Sequence, residues 1–137
     1  MRRLELFIDG ASKGNPGPSG IGVIICQQGR VVKNIARYIG TATNNVAEYT
    51  ALVHGLQESL TLGAEAITVN TDSELLSRQV NGLYKIKNAG IKVLYEQVLR
   101  LKSGFKEVMV RHIPREENCG ADKLATQAVK EALEKAL

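Results

Sequence analysis

Leu4, Leu6 and Ile8 alternate with Glu5, Phe7 and Asp9, a two-residue period that predicts a strand over residues 3–9. Asp9-Gly10 and the turn-forming run Lys13-Gly14-Asn15-Pro16-Gly17-Pro18 end it. Apolar stretches at about 20–27 and 31–39, joined by Gln28-Gly29, predict a hairpin, and Gly40 to Asn44 reads as a loop. From Asn45 the period becomes helical, through Tyr49, Leu52, Val53, Leu56 and Leu60, and Gly63 is its stop. Residues 66–72 are rich in β-branched side chains and predict a fourth strand. A short helix at 74–81, a loop bearing Lys85 and Lys87, and a helix at 91–102 follow. A fifth strand spans 107–113, where Pro114 stops it. The last helix starts near 119 and carries Leu124, Ala125, Ala128, Val129, Ala132 and Leu133 as its apolar stripe.

The order is β-β-β-α-β-α-α-β-α. Short turns make the first three strands antiparallel, and strands reached through helices should run parallel. The expected fold is α/β, a mixed five-stranded sheet flanked by helices, in a single domain over residues 1–137. No linker, repeat or low-complexity segment interrupts it.

Composition changes this picture little. Hydrophobic residues at 44% and charged residues at 23% are ordinary for a globular chain. A formal net charge of +4 points mildly toward a polyanionic partner. Cys26 lies in an apolar run and Cys119 in a polar turn, so neither a disulfide framework nor a zinc site is expected. That suits the cytoplasm. The basic, mixed-charge N-terminus has no apolar stretch long enough for a signal peptide or membrane span. No membrane and no obligate protein partner is expected.

Four acids then stand out, each with a local explanation. Asp9 could open a turn, and Glu48 lies at capping-box spacing from Asn45. Asp72 could cap a helix, and Asp122 could answer the dipole of the last helix. Together they could converge. Asp9 and Asp72 end strands at the carboxyl edge of the sheet, Glu48 starts a helix packed on it, and Asp122 precedes Ala125 by one turn. Such a cluster needs cations to offset its repulsion, and oxygen ligands suit Mg²⁺ or Mn²⁺. Spacing alone leaves this as one candidate among several.

The flanking words narrow it. Phe7-Ile8-Asp9-Gly10-Ala11-Ser12-Lys13-Gly14-Asn15-Pro16-Gly17, Thr43-Asn44-Asn45-Val46-Ala47-Glu48, Asn70-Thr71-Asp72-Ser73 and Asn118-Cys119-Gly120-Ala121-Asp122 occur in one order along nearly the whole chain. In this ordered set the chain resembles the type 1 ribonuclease H family. The resemblance implies a ribonuclease H-like fold and two-metal hydrolysis of the RNA strand of RNA–DNA hybrids, leaving 3′-hydroxyl and 5′-phosphate ends. Activity on double-stranded RNA is left open. The resemblance makes Asp9 the bridge between two metals, with Glu48 and Asp72 completing one site and Asp122 the other. It also brings Glu48 near a ribose 2′-hydroxyl. Gly10, Asn15, Thr43, Asn44, Asn45 and Ser73 become candidate substrate contacts, with Thr43 at a DNA phosphate. The alternative for the glycines is a tight inter-strand loop, and for Asn45 a helix cap.

Two departures from the family pattern follow. The Gly-His loop that many bacterial members carry before the last helix is replaced by the shorter Arg111-His112-Ile113-Pro114-Arg115-Glu116-Glu117-Asn118. His112 alternates with Val110 and belongs to the strand in a structural role. Arg115 is therefore the loop residue expected to serve catalysis by neutralising the leaving or product phosphate. The basic protrusion of some relatives is also missing, leaving Lys85, Lys87 and Lys92 as the nearest cations and predicting salt-sensitive binding. Glu74 stands where many relatives have an amide, and either weakens a substrate contact or caps its helix. Two rivals remain. One is a non-catalytic nucleic-acid-binding module, for which clustered acids have no use. The other is a resolvase- or transposase-type nuclease core, which the Gly14-Asn15-Pro16-Gly17 and Thr43-Asn44-Asn45 words disfavour.

Overall fold

The computed structural model describes residues 1–137. Three strands, β1 (Arg3–Ser12), β2 (Gly17–Gln27) and β3 (Arg30–Ala42), lead into α1 (Asn44–Thr61). β4 (Ala66–Thr71), α2 (Glu74–Val80), α3 (Ala89–Lys102), β5 (Glu107–His112) and α4 (Cys119–Lys135) complete the chain. The sheet order is β3-β2-β1-β4-β5, antiparallel within β1–β3 and parallel from β1 to β4 to β5. Fold class and element order thus match the expectation of a mixed five-stranded sheet.

Two faces of the sheet are covered differently. Leu4, Leu6 and Ile8 of β1, with Ile25 and Val23 opposite Leu6 and Ile8 on β2 and Ile21 opposite Gly10, form one buried face against Tyr49, Leu52 and Leu56 of α1. The opposite face carries Gly20 and Gly22 of β2, on which α4 lies through Ala121, Ala125 and Ala128. A Cβ on Gly22 would come within 2.1 Å of the Ala121 carbonyl oxygen, so only glycine admits the helix at this distance.

Several boundaries differ from the sequence reading. β1 does not end at Asp9 but continues to Ser12, still paired with β2, after β4 has left it beyond Ile8↔Thr71. β3 runs through Gly40 to Ala42 because an irregularity at Ser19/Gly20 absorbs one residue and keeps the ladder going. The cap of α1 is Thr43, whose hydroxyl accepts from the Val46 N–H at 3.2 Å, so Asn45 lies inside the helix. A short 3-10 turn, Arg115–Glu117, fills the connection between β5 and α4.

Candidate active site

The acids come from both layers and meet at the end of the sheet. Asp9 pairs with Gly22 across the ladder and therefore faces α4, whereas Glu48 belongs to α1 on the other side. Gly10 resolves the separation, because a Cβ there would lie 2.4 Å from the Ala47 carbonyl carbon and 2.5 Å from the Glu48 nitrogen. The α1 backbone rests on β1 at this point. The Gly10 backbone amide and the Asp9 carboxyl group are thereby brought beside the Glu48 carboxylate. Asp72 follows Thr71, and Thr71 pairs with Ile8, so Asp9 and Asp72 are the next residues on neighbouring parallel strands.

Carboxylate oxygens of Asp9, Glu48 and Asp72 consequently lie within 4.8 Å of one another. Asp122, in the first turn of α4, stands outside this trio but lies beside Asp9 and lines the same cleft of about 650 Å³. The four predicted acids are thus brought to one opening, three of them tightly.

Their electrostatics follow from crowding in a dry place. Burial, and then the Asp72 charge, push Asp9 up to about 7. Burial and the Asp9 charge hold Glu48 well above the ordinary carboxylate range. Burial also raises Asp72, against the opposing pull of the Arg115 guanidinium and the Asn118 amide. The Glu48 Oε2 atom is buried without a partner in the protein. A buried carboxylate oxygen aimed into a cluster of acids fits a cation, and the donor set is all oxygen.

Polar side chains expected at substrate sit around these acids. Gly10, Asn15, Asn44, Asn45, Ser73 and Arg115 all line the cleft. Thr43 does not; its hydroxyl oxygen accepts the α1 cap bond, and its proton is left to donate. Asn15 Oδ1 accepts from the Asn44 N–H and Asn44 Oδ1 from the Ser12 N–H, which ties the β1–β2 loop to α1 and leaves both amide nitrogens as donors. Asn45 Oδ1 is buried without a partner, which sets aside its capping role. Ser73 caps α2 by accepting from the Leu76 N–H, so Asp72 is released from that duty.

Other expectations resolve locally. His112 ends β5, paired with Thr71 and exposed, away from the cleft lining. Glu74 neither caps α2 nor enters the cleft; it pairs with Arg78 at 3.0 Å. Lys85, Lys87 and Lys92 are exposed beyond the end of α2. One important residue went unread. Asn118 is 1% exposed, and its Nδ2 donates to the Ile8 carbonyl at 2.8 Å. In sequence it stands within the Asn118-Cys119-Gly120-Ala121-Asp122 word with no role assigned, since an asparagine before a helix ordinarily means a cap.

Comparison with known proteins agrees with this geometry. A family model described as reverse transcriptase-like matches residues 7–128. The chain is 39% identical over 136 residues to a bifunctional protein of Mycobacterium tuberculosis, covering 98% of this chain and 37% of that one. The chain therefore spans little more than a third of the mycobacterial relative's length. Among solved structures, ribonuclease H1 of the archaeon Halobacterium salinarum superposes with a TM-score of 0.92 at 34% identity, covering 94% of this chain and 98% of that one. LC11 ribonuclease H1 in complex with an RNA/DNA hybrid gives 0.91 at 38% identity, covering 95% and 99%.

Proposed function

The chain belongs to the type 1 ribonuclease H family, and from that premise we propose that it hydrolyses the RNA strand of RNA–DNA hybrids, leaving 3′-hydroxyl and 5′-phosphate ends. The observation that carries this reading is the convergence of Asp9, Glu48 and Asp72 within 4.8 Å, with Asp122 on the same cleft. A site built only to bind phosphate would gain nothing from four carboxylates.

In this reading Asp9, Glu48, Asp72 and Asp122 would hold two Mg²⁺ or Mn²⁺ ions, which would supply positive charge to the reacting phosphate oxygens. The remaining work falls to the protein. Glu48 lies within reach of a ribose 2′-hydroxyl, the group that separates RNA from DNA. The free amide nitrogens of Asn15 and Asn44, with the Asn45 side chain and the Ser73 hydroxyl, orient the strands, and Gly10 at the cleft offers its backbone to the substrate. Thr43 keeps its hydroxyl proton for a DNA-strand phosphate. Arg115, beside Asp72, neutralises the leaving or product phosphate, and its permanently charged guanidinium excludes an acid–base role there.

Asp72→Asn tests the assignment: cleavage is abolished while hybrid binding persists. Equal cleavage by nuclease-free Asp72→Asn protein would put the chemistry elsewhere. A panel of hybrid, double-stranded RNA, single-stranded RNA and DNA, each with Mg²⁺ and Mn²⁺, defines the substrate and the ion. Double-stranded RNA belongs in it because its A-form strands offer the same 2′-hydroxyls. No helix is long and apolar enough to cross a membrane. Both cysteines are free, which fits a reducing, cytoplasmic setting.

A further inference from the structure

Asn118 is almost wholly buried, at 1% exposure, and the chemistry above does not use it. It immediately precedes α4, where an asparagine normally gives its side chain to the free N–H groups of the helix. Here the side chain makes no cap bond. It is diverted across the sheet, where Nδ2 donates to the Ile8 carbonyl at 2.8 Å, a residue 110 positions away. Ile8 is the neighbour of Asp9 and the ladder partner of Thr71, which is the neighbour of Asp72. The main-chain carbonyl of Asn118 meanwhile accepts from the Asp122 N–H at 3.2 Å.

Small-residue packing cannot do this alone. Gly20 and Gly22 set how closely α4 approaches the sheet, but contacts among glycine and alanine carry little direction along the helix axis. A short, buried, directional hydrogen bond does. We propose that Asn118 is a positioning residue for the metal-binding acids: through one buried residue it fastens the strand of Asp9, the end of β4 at Asp72 and the first turn of α4, and so sets the reach of Asp122 to the other three. The proposal rests on the metal-dependent reading of the cleft.

The test measures metal binding directly, by Mn²⁺ titration of the full chain followed by electron paramagnetic resonance. Asn118→Ala removes the donor, and Asn118→Leu removes it while keeping the branched shape and the number of side-chain heavy atoms; circular dichroism checks that each variant is folded. Both should weaken Mn²⁺ binding roughly 10-fold or more, the scale at which groups behind metal ligands act. At saturating metal, kcat should fall while KM for the hybrid changes less than about twofold, because the polar groups lining the cleft are untouched. Val98→Ala, a buried α3 side chain remote from the acids, should lose stability yet keep the wild-type Mn²⁺ affinity. A folded Asn118→Leu protein with wild-type Mn²⁺ affinity overturns the proposal and leaves Asn118 a residue of the fold only. A wild-type chain that takes up no Mn²⁺ overturns the metal reading itself, and this proposal with it.

Discussion

Gly10 and Ala47 are in contact so close that a Cβ on the glycine would stand 2.4 Å from the alanine carbonyl carbon. That contact is how an acid on α1 reaches an acid facing α4. Gly10→Ala must push α1 away from β1, at a cost of about 1–3 kcal/mol for overpacking. Urea unfolding should report the loss, and Mn²⁺ titration should report a weakened site. Unchanged stability would mean that α1 is not held at this point.

Asp9 supplies a pH prediction whose sign is fixed by its environment. Its carboxyl is raised from 3.8 to about 7 by burial and by the Asp72 charge, so the folded state holds the proton more tightly than the unfolded chain. The resulting stability is complete at pH below about 4 and is lost as pH rises through about 7. In metal chelator, Asp9→Asn should therefore melt above wild type at pH 8, by on the order of 5 °C. At pH 4 the two should melt together, within the small difference expected between a protonated acid and an amide. Saturating Mg²⁺ at pH 8 should raise the wild type much more than Asp9→Asn. The idea is lost if calorimetry finds the same difference at both pH values.

Arg115 lines the cleft and lowers Asp72 through its charge. Arg115→Ala should reduce multiple-turnover cleavage about 10-fold, with Mn²⁺ affinity changed far less. Comparing single-turnover with steady-state rates separates loss of chemistry from slow product release. Full turnover by the variant would remove Arg115 from the reaction.

Lys85 and Lys87 are exposed beyond α2, where no protruding basic helix is present. If both touch phosphate, the Lys85→Gln, Lys87→Gln double variant should flatten the plot of log affinity for hybrid against log salt by roughly 2 in slope. An identical slope would assign both lysines to a solvated loop.

Much of the fold was legible in local patterns. The alternation of Leu4, Leu6 and Ile8 marks β1, and the helical spacing of Leu52 and Leu56 marks α1, because burial repeats with the geometry of each element. Boundaries were less legible where neighbours compete for one role. Thr43 takes the cap that Asn45 could have taken, and Ser73 takes the one that Asp72 could have taken. Each rival sits within two residues and offers a suitable oxygen, so local propensity cannot choose between them. β1 outlasts its expected end because β2 continues to supply a ladder after β4 departs.

By itself, the sequence determined the kinds of element, their order and the four acids with their flanking polar words, since periodicity and residue chemistry are local properties. Only the tertiary structure decided how those acids meet. Consecutive strand residues point to opposite layers, so Asp9 faces α4 while Gly10 receives α1, and their acids join only at the sheet end. The same holds for Asn118, an apparent helix cap whose side chain finds Ile8 instead. A hydrogen bond between positions so distant in the chain depends on how α4 docks, and docking is a property of packed surfaces rather than of any stretch of residues.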